Sequence, residues 1–263
     1  MALCVYSTAS DEPRVRGGVL LESSHTRRAE IFFSAEWNNL VMLNYAVDPA
    51  LLAGFVPRGT ELDAFAGKTY VSLVAFEFNN TRIGGMAVPF HRSFEEVNLR
   101  FYVRRGQKRG VTFVRELVPK RAVAAIARRF FNENYSCVPM SHQIRGKRAD
   151  GLVGADYTWG AGAGRCSIRV EAAQEELVPA DGSHEQFITE HYWGYAAQAD
   201  GGCIEYEVQH PRWSVRPAAT AAFLGDAARY YGVELAVVLT RAPDSAFLIP
   251  GSAVGVFKGT RIH

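Results

Sequence analysis

The chain has 263 residues, 48% of them apolar and 21% charged, with a formal net charge of +2. That composition supports a full hydrophobic core in one or two domains. So small a charge, scattered along the chain, gives no electrostatic case for binding nucleic acid. The densest basic run, RRGQKR at Arg104–Arg109, lies between two strand patterns and reads as a solvated hairpin tip. Four cysteines, Cys4, Cys137, Cys166 and Cys203, form no C-x-x-C pair, which fits a reduced, cytoplasmic setting. No signal-peptide pattern opens the chain, and no apolar run approaches the roughly 18 residues of a bilayer crossing, so no membrane association is expected.

Residues 1–28 are polar and aperiodic and read as a flexible arm, with residues 29–263 forming one domain. Trp37–Pro57 opens as an apolar strand. Asp48 and Pro49 then suit an N-cap and a first helical position, with Leu51, Leu52 and Phe55 as the apolar face and Pro57 as the stop. Thr69–Phe78, apolar at nearly every position, predicts a strand buried on both faces. Glu96–Arg105 alternates: Val97, Leu99, Phe101 and Val103 share one face, and Glu96, Asn98, Arg100, Tyr102 and Arg104 share the other. The polar face is either wet or lines a cavity, and alternation by itself favours the wet reading.

Gly110–Val118 continues as a strand, so Glu96–Val118 predicts a hairpin. Ala122–Tyr135 carries a helical stripe of Val123, Ile126, Ala127, Phe130 and Phe131. The glycine-rich turn Gly160–Gly164 joins two further strands. Ser183–Gln186 matches a capping box, predicting a helix from His184 to about Tyr192. Cys203–Val215 reads as a strand and Gly225–Gly232 as a short helix closed by Gly232. A last strand covers Ala253–Gly259. Strands dominate and do not alternate regularly with helices, so a doubly wound parallel sheet is not expected. The fold class is α+β: a mostly antiparallel, curved or closed sheet with short helices outside.

Familiar catalytic motifs are missing. There is no P-loop and no G-x-S-x-G elbow, and Gly160–Gly164 is followed by a strand where a dinucleotide loop needs a helix. His184 and His191, seven apart on one predicted helix, and the later His210 lack any familiar metal-ligand spacing, so no metal is assigned. The aromatic cluster His191–Tyr195, with Tyr206, His210 and Trp213, reads first as core and subunit contacts and only second as a ligand wall.

One local feature is unusual. Lys120 and Arg121 stand side by side after Pro119, at the predicted start of a helix. The positive end of a helix dipole disfavours each cation by roughly 0.3–1 kcal/mol. That effect, mutual repulsion and any burial all favour the neutral amine. A neutral lysine amine beside a second cation can attack a carbonyl and form a Schiff base; acetoacetate decarboxylase is the standing example of such an arrangement. The plainer reading is an exposed pair at a turn with both charges in water, and the local pattern by itself favours that one.

Here a family resemblance enters. The segments YAVDPALLAGFVPRGTELDAFAGKTYVSLVAFEF, GMAVPFHRSFEEVNLRFYVRR, RGVTFVRELVPKRA, FITEHYWGY and YEVQHPRW resemble the YqjF-like proteins, a bacterial family similar in fold to acetoacetate decarboxylase. The resemblance implies a cone-like antiparallel β-barrel with outer helices and a central cavity. It places Lys120 on the Schiff-base lysine and Arg121 on the neighbouring cation of the decarboxylases. Two of their site groups have no counterpart: TRIGGMAVP carries no carboxylate, and EWNN no arginine. Glu96 as acid or base and Arg100 as anion contact stand in for them, with Asn98, Tyr102, His191 and Trp193 as further substrate contacts. The implied activity is a lyase or decarboxylase acting on a small keto acid or aldehyde, or else non-covalent binding of such a ligand. No metal or organic cofactor is expected, since the imine itself is the electron sink. The partner is thus a small anionic or carbonyl compound, and the fold class permits a homo-oligomer.

Overall fold

Long strands form because the apolar runs are built from β-branched and aromatic residues. The computed structural model describes residues 31–87, 92–120 and 134–262. The arm expected over residues 1–28 lies outside them. The first strands are β1 (Ile31–Val47), β2 (Glu61–Leu62), β3 (Thr69–Ile83), β4 (Met86–Ala87), β5 (Phe94–Arg105), β6 (Lys108–Val118) and β7 (Tyr135–Cys137). A second group follows: β8 (Met140–Arg145), β9 (Leu152–Trp159) and β10 (Cys166–Ala173). After α1 (His184–Thr189) come β11 (Trp193–Ala197), β12 (Cys203–Gln209) and β13 (Arg216–Leu224), then α2 (Ala228–Tyr231), α3 (Val233–Leu239), β14 (Ser245–Phe257) and β15 (Thr260–Ile262).

The strand order runs β15-β12-β11-β6-β5-β3-β1-β14-β13-β10-β9-β8, and β12 also meets β14 at Val208↔Val256 and Gln209↔Gly255. Nearly all pairs are antiparallel; β11 and β7 join β6 in parallel. The mostly strand, antiparallel class expected from the sequence is thus observed. One face of β1, β3, β5 and β6 is covered by β9, β10, α2 and α3, giving a core that includes Leu43, Leu73, Leu99, Phe101, Trp159, Ile168 and Leu239. The other face carries a second apolar cluster with Leu40, Met42, Val74, Phe76, Phe78, Phe187 and Trp213. Gly251 of β14 sits at φ 106° opposite Asn38, and a Cβ there would come within 1.8 Å of the Trp37 carbonyl oxygen, so only glycine fits.

Several expectations hold in detail. Thr69–Phe78 is buried on both faces, and the β5–β6 and β9–β10 hairpins form. Others need correction. After Asp48, whose carboxylate accepts from Ala50 N at 2.8 Å, the chain makes two 3-10 turns rather than an α-helix, and Phe55 is exposed. A segment this short, ended by Pro57, cannot complete α-helical hydrogen bonding. Helix α1 stops at Thr189, because the chain must turn to bring Trp193 alongside Gly110 of β6. His184 and His191 therefore do not share a helix. Strand β12 ends at Gln209, two residues before Pro211, which has no N–H for a ladder.

The helical stripe expected after Ala122 falls in residues 121–133, outside those described. Tyr135, placed at that helix's end, instead lies in β7 and pairs with Glu116. Gly232 does close α2, at φ 80°, but α3 follows at once, and β14 starts at Ser245 rather than Ala253. The Arg104–Arg109 tip is not simply solvated. Arg104 pairs with Glu61, Arg105 and Lys108 with Glu205, and Arg109 with Asp63.

Candidate functional site

The second apolar cluster is not filled. It surrounds a cavity of about 150 Å³ whose wall is mainly aromatic and aliphatic, including Trp37, Phe76, Phe78, Phe113 and Trp213. Trp37 sits at the centre of the aromatic wall, with ring centroids 5.1 Å from Phe76 and 6.1 Å from Trp213. Into this apolar enclosure β5 sends Glu96, Asn98 and Arg100, exposed by only 3%, 3% and 8%. The wet reading of the polar face is therefore wrong for these three. Pleating still separates the faces, but both are covered: Val97, Leu99, Phe101 and Val103 in the packed core, and the polar set in the cavity.

Each polar group is held from a named element. Asn98 Nδ2 donates to Glu96 Oε1 at 3.0 Å, and Tyr135 of β7 donates its hydroxyl to Glu96 Oε2 at 3.1 Å. Arg100 Nη2 donates to the Ile188 carbonyl of α1 at 3.1 Å and lies 3.8 Å from Met42 Sδ. Among the described residues, Arg100 Nε and Asn98 Oδ1 have no hydrogen-bond partner although both are buried. A buried guanidinium N–H and amide oxygen left unpaired cost about 1–3 kcal/mol each, more for the charged one, unless a water or ligand meets them.

His191 and His210 also line the cavity. Burial, then the guanidiniums of Arg109 and Arg100, keep His191 well below the usual imidazole range, so it is neutral. Its ring packs against Tyr102 at 4.7 Å, and Arg109 Nη2 faces its Nε2 at 3.4 Å. Burial likewise lowers His210, which stacks on Trp213 at 4.1 Å. Trp193 also lines the cavity, with Lys108 Nζ 3.7 Å from its ring centroid. Tyr102 is a layer behind the wall, bonded to Ser72 Oγ. His184 is elsewhere, 2.8 Å from Ser245 Oγ. Among the described residues no group of three or more histidine, cysteine, aspartate or glutamate side chains could hold a metal ion.

Glu116, only 2% exposed, is a cavity residue that alternation does not reveal. From Val111 and Phe113, a regular strand would aim Arg115 inward. The register slips between Leu99 and Arg100, so that Phe113 faces Arg100 while Glu116 faces Asn98. The extra residue reverses the facing of the rest of β6, which sends a carboxylate instead of a guanidinium inward. Val118 follows on the same side. Two residues further stands Lys120, half-buried just beyond β6, its Nζ donating to the Ser93 carbonyl at 2.9 Å. It is not among the described residues that form the cavity wall. Arg121 lies outside the described residues.

Sheet and cavity together define an acetoacetate decarboxylase-like fold. An acetoacetate decarboxylase-like enzyme from Sphingomonas wittichii RW1 superposes with a TM-score of 0.63, covering 89% of this chain and 94% of that one at 10% identity. Acetoacetate decarboxylase from Legionella pneumophila gives 0.61, covering 96% and 98% at 10% identity. The enduracididine biosynthesis enzyme MppR complexed with pyruvate gives 0.61, covering 87% and 88% at 12% identity. At such identities the likeness concerns the fold. The chain belongs to the DUF2071 family, described as an uncharacterized conserved protein, which it matches over residues 34–253. It is also 32% identical over 115 residues to the uncharacterized protein YqjF of Bacillus subtilis strain 168; the match spans 43% of this chain and about half, 48%, of that relative. No helix among the described residues is long and apolar enough to cross a membrane.

Proposed function

We propose that this protein is a small-molecule enzyme that captures a keto acid or aldehyde as a Schiff base on Lys120, within a cone-like barrel. The observation that carries the reading is the largely apolar cavity holding Glu96, Asn98, Arg100 and Glu116, with Arg100 Nε and Asn98 Oδ1 unpartnered among the described residues. Such a constellation fits an organic anion with an apolar body. The β12–β14 contact supports a closed barrel. Lys120 stands two residues beyond Val118 of the cavity-side cluster, which supports its access to the cavity. In the reaction the Lys120 amine adds to the carbonyl carbon, both its protons leave with the carbonyl oxygen as water, and a C=N bond remains. Once protonated, that imine draws electrons from the adjacent carbon, and Glu96 or Glu116 moves the proton. The free thiols of Cys137, Cys166 and Cys203 fit a reducing, cytoplasmic setting.

Incubation with pyruvate, reduction with borohydride and intact-mass measurement test the reading. A mass increase that disappears in Lys120→Ala supports it. A second reading, non-covalent binding on the same scaffold, is favoured by one observation: the Lys120 amine is engaged by the Ser93 carbonyl outside the described cavity wall. Saturable binding of keto acids without any reducible adduct would establish it.

A further inference from the structure

The cavity wall asks a ligand for a hydrogen-bond donor as well as an anion. Asn98 Nδ2 and the Tyr135 hydroxyl donate to the two oxygens of Glu96. The first of these bonds fixes the Asn98 amide, because a flipped amide would set its oxygen against the Glu96 carboxylate. Asn98 Oδ1 is therefore the acceptor left over, buried and without a partner among the described residues. Glu116 faces Asn98 across the β5–β6 pair and adds a second carboxyl group to the wall.

Arg100 stands two residues along the same face of β5. No lysine or other arginine lines the cavity among the described residues. The described polar contacts of its guanidinium are the Ile188 carbonyl and the Met42 sulfur, neither of them charged. Its Nε–H is buried without a partner among the described residues. Asn98 and Arg100 are exposed by only 3% and 8%. One orphan can only donate and the other can only accept, yet they do not meet each other. Same-face neighbours on a strand lie about 7 Å apart, so one short polar head can serve both.

A simple 2-oxo acid serves only one of them. Its carboxylate can accept from Arg100, but its ketone oxygen has no proton for Asn98 Oδ1 and leaves that oxygen unpaired. A hydroxyl on the same carbon supplies the missing proton. An ammonium there would need acceptors for three N–H groups in a mainly apolar wall, and would stand beside the Arg100 guanidinium. The cavity of about 150 Å³ matches one that takes up benzene, so the ligand has roughly six or seven non-hydrogen atoms.

Resting on the reading of this cavity as the ligand site, we infer that it selects small carboxylic acids with a hydroxyl on the carbon beside the carboxylate. The carboxylate accepts from Arg100 Nε–H, and the hydroxyl donates to Asn98 Oδ1. This recognition is non-covalent and makes no demand on Lys120. A carbonyl compound captured at Lys120 carries the same head in addition to its reacting carbonyl.

The test uses the full chain and a set of acids on one carbon skeleton: 2-hydroxybutanoate, 2-oxobutanoate, 2-aminobutanoate and butanoate. Binding is read from quenching of the cavity tryptophans Trp37, Trp193 and Trp213. 2-Hydroxybutanoate is expected to bind at least tenfold more tightly than each of the others. Asn98→Leu should abolish that preference, whereas Arg100→Met should weaken the hydroxy and oxo acids together. Asn98→Ala gives the same readout if the leucine variant melts early. Equal binding of the hydroxy and oxo acids, tighter binding of the amino acid, or a preference that survives both Asn98 variants overturns the inference. The borohydride adduct with pyruvate, measured separately, is untouched by these results and still decides the imine reading. Failure of all the acids to bind overturns the inference and the reading of the cavity together.

Discussion

Strand β5 borders two buried regions, and they differ in kind. Its Val97, Leu99, Phe101 and Val103 enter a closed core between the main sheet, β9–β10 and the short helices, whereas Glu96, Asn98 and Arg100 enter a hollow. Burial is nearly equal on the two sides, so burial does not distinguish stabilising from binding residues here. Packing does. A filled core returns dispersion and desolvation for each side chain, whereas a cavity wall lacks neighbours on one side and leaves polar atoms unmatched.

The largest contrast should come from truncation in the closed core. Leu99→Ala removes a fully buried side chain there and should lower the unfolding free energy by about 3 kcal/mol, measured by urea denaturation. Equal stability of Leu99→Ala and the parent would show that the core side is as loose as the hollow one. On the hollow side, acid is the sharper probe. His191 and His210 are both held below the usual imidazole range, chiefly by burial, and the guanidiniums of Arg109 and Arg100 face His191. Unfolding therefore takes up protons that the folded protein excludes. Stability is full above about pH 6.5 and falls as pH drops below it, by up to about 1.4 kcal/mol per pH unit for each histidine. Urea midpoints at several pH values should show this fall, with a shallower slope in His191→Gln. A slope unchanged by that variant would place the acid sensitivity elsewhere.

Arg100→Met should act oppositely to Leu99→Ala. It removes a buried charge but also strips the Ile188 carbonyl of a donor, so stability should change by less than about 1.5 kcal/mol. Binding of an anionic ligand, read from quenching of the cavity tryptophans, should weaken at least tenfold. Loss of stability without loss of binding would make Arg100 a structural residue.

The difference between the two regions was half legible in the sequence. Alternation in Glu96–Arg105 assigned each residue to the correct face, because pleating is a local property. What covers a face is not local. The cavity side is closed by His191, Trp193, His210 and Trp213, roughly a hundred residues further along, and the local pattern favoured water instead. Glu116 was hidden for another reason: nothing in GVTFVRELV marks the extra residue that turns it inward. The run VELAVVL was missed as a helix because its apolar residues surround it, with Val233 and Val237 exposed and Leu235 and Leu239 buried, leaving no stripe. Lys120 was flagged by its neighbour Arg121, but its place at the strand end depends on the Ser93 carbonyl across the hairpin.

The smallest effect offers the finest test of the comparison. Val97 and Val74 are each about 1% exposed, both lie in central strands, and β3 and β5 place them on opposite faces. Val97 belongs to the closed core and Val74 to the cavity wall. Truncating Val97 to alanine opens a new void among packed neighbours and loses contacts on every side. Truncating Val74 only widens a space that already exists, where some contacts were absent from the start. Val97→Ala should therefore cost about 1 kcal/mol more than Val74→Ala in urea denaturation, although both remove the same atoms. A reversed order would mean that the space beside Val74 is filled as tightly as the core beside Val97.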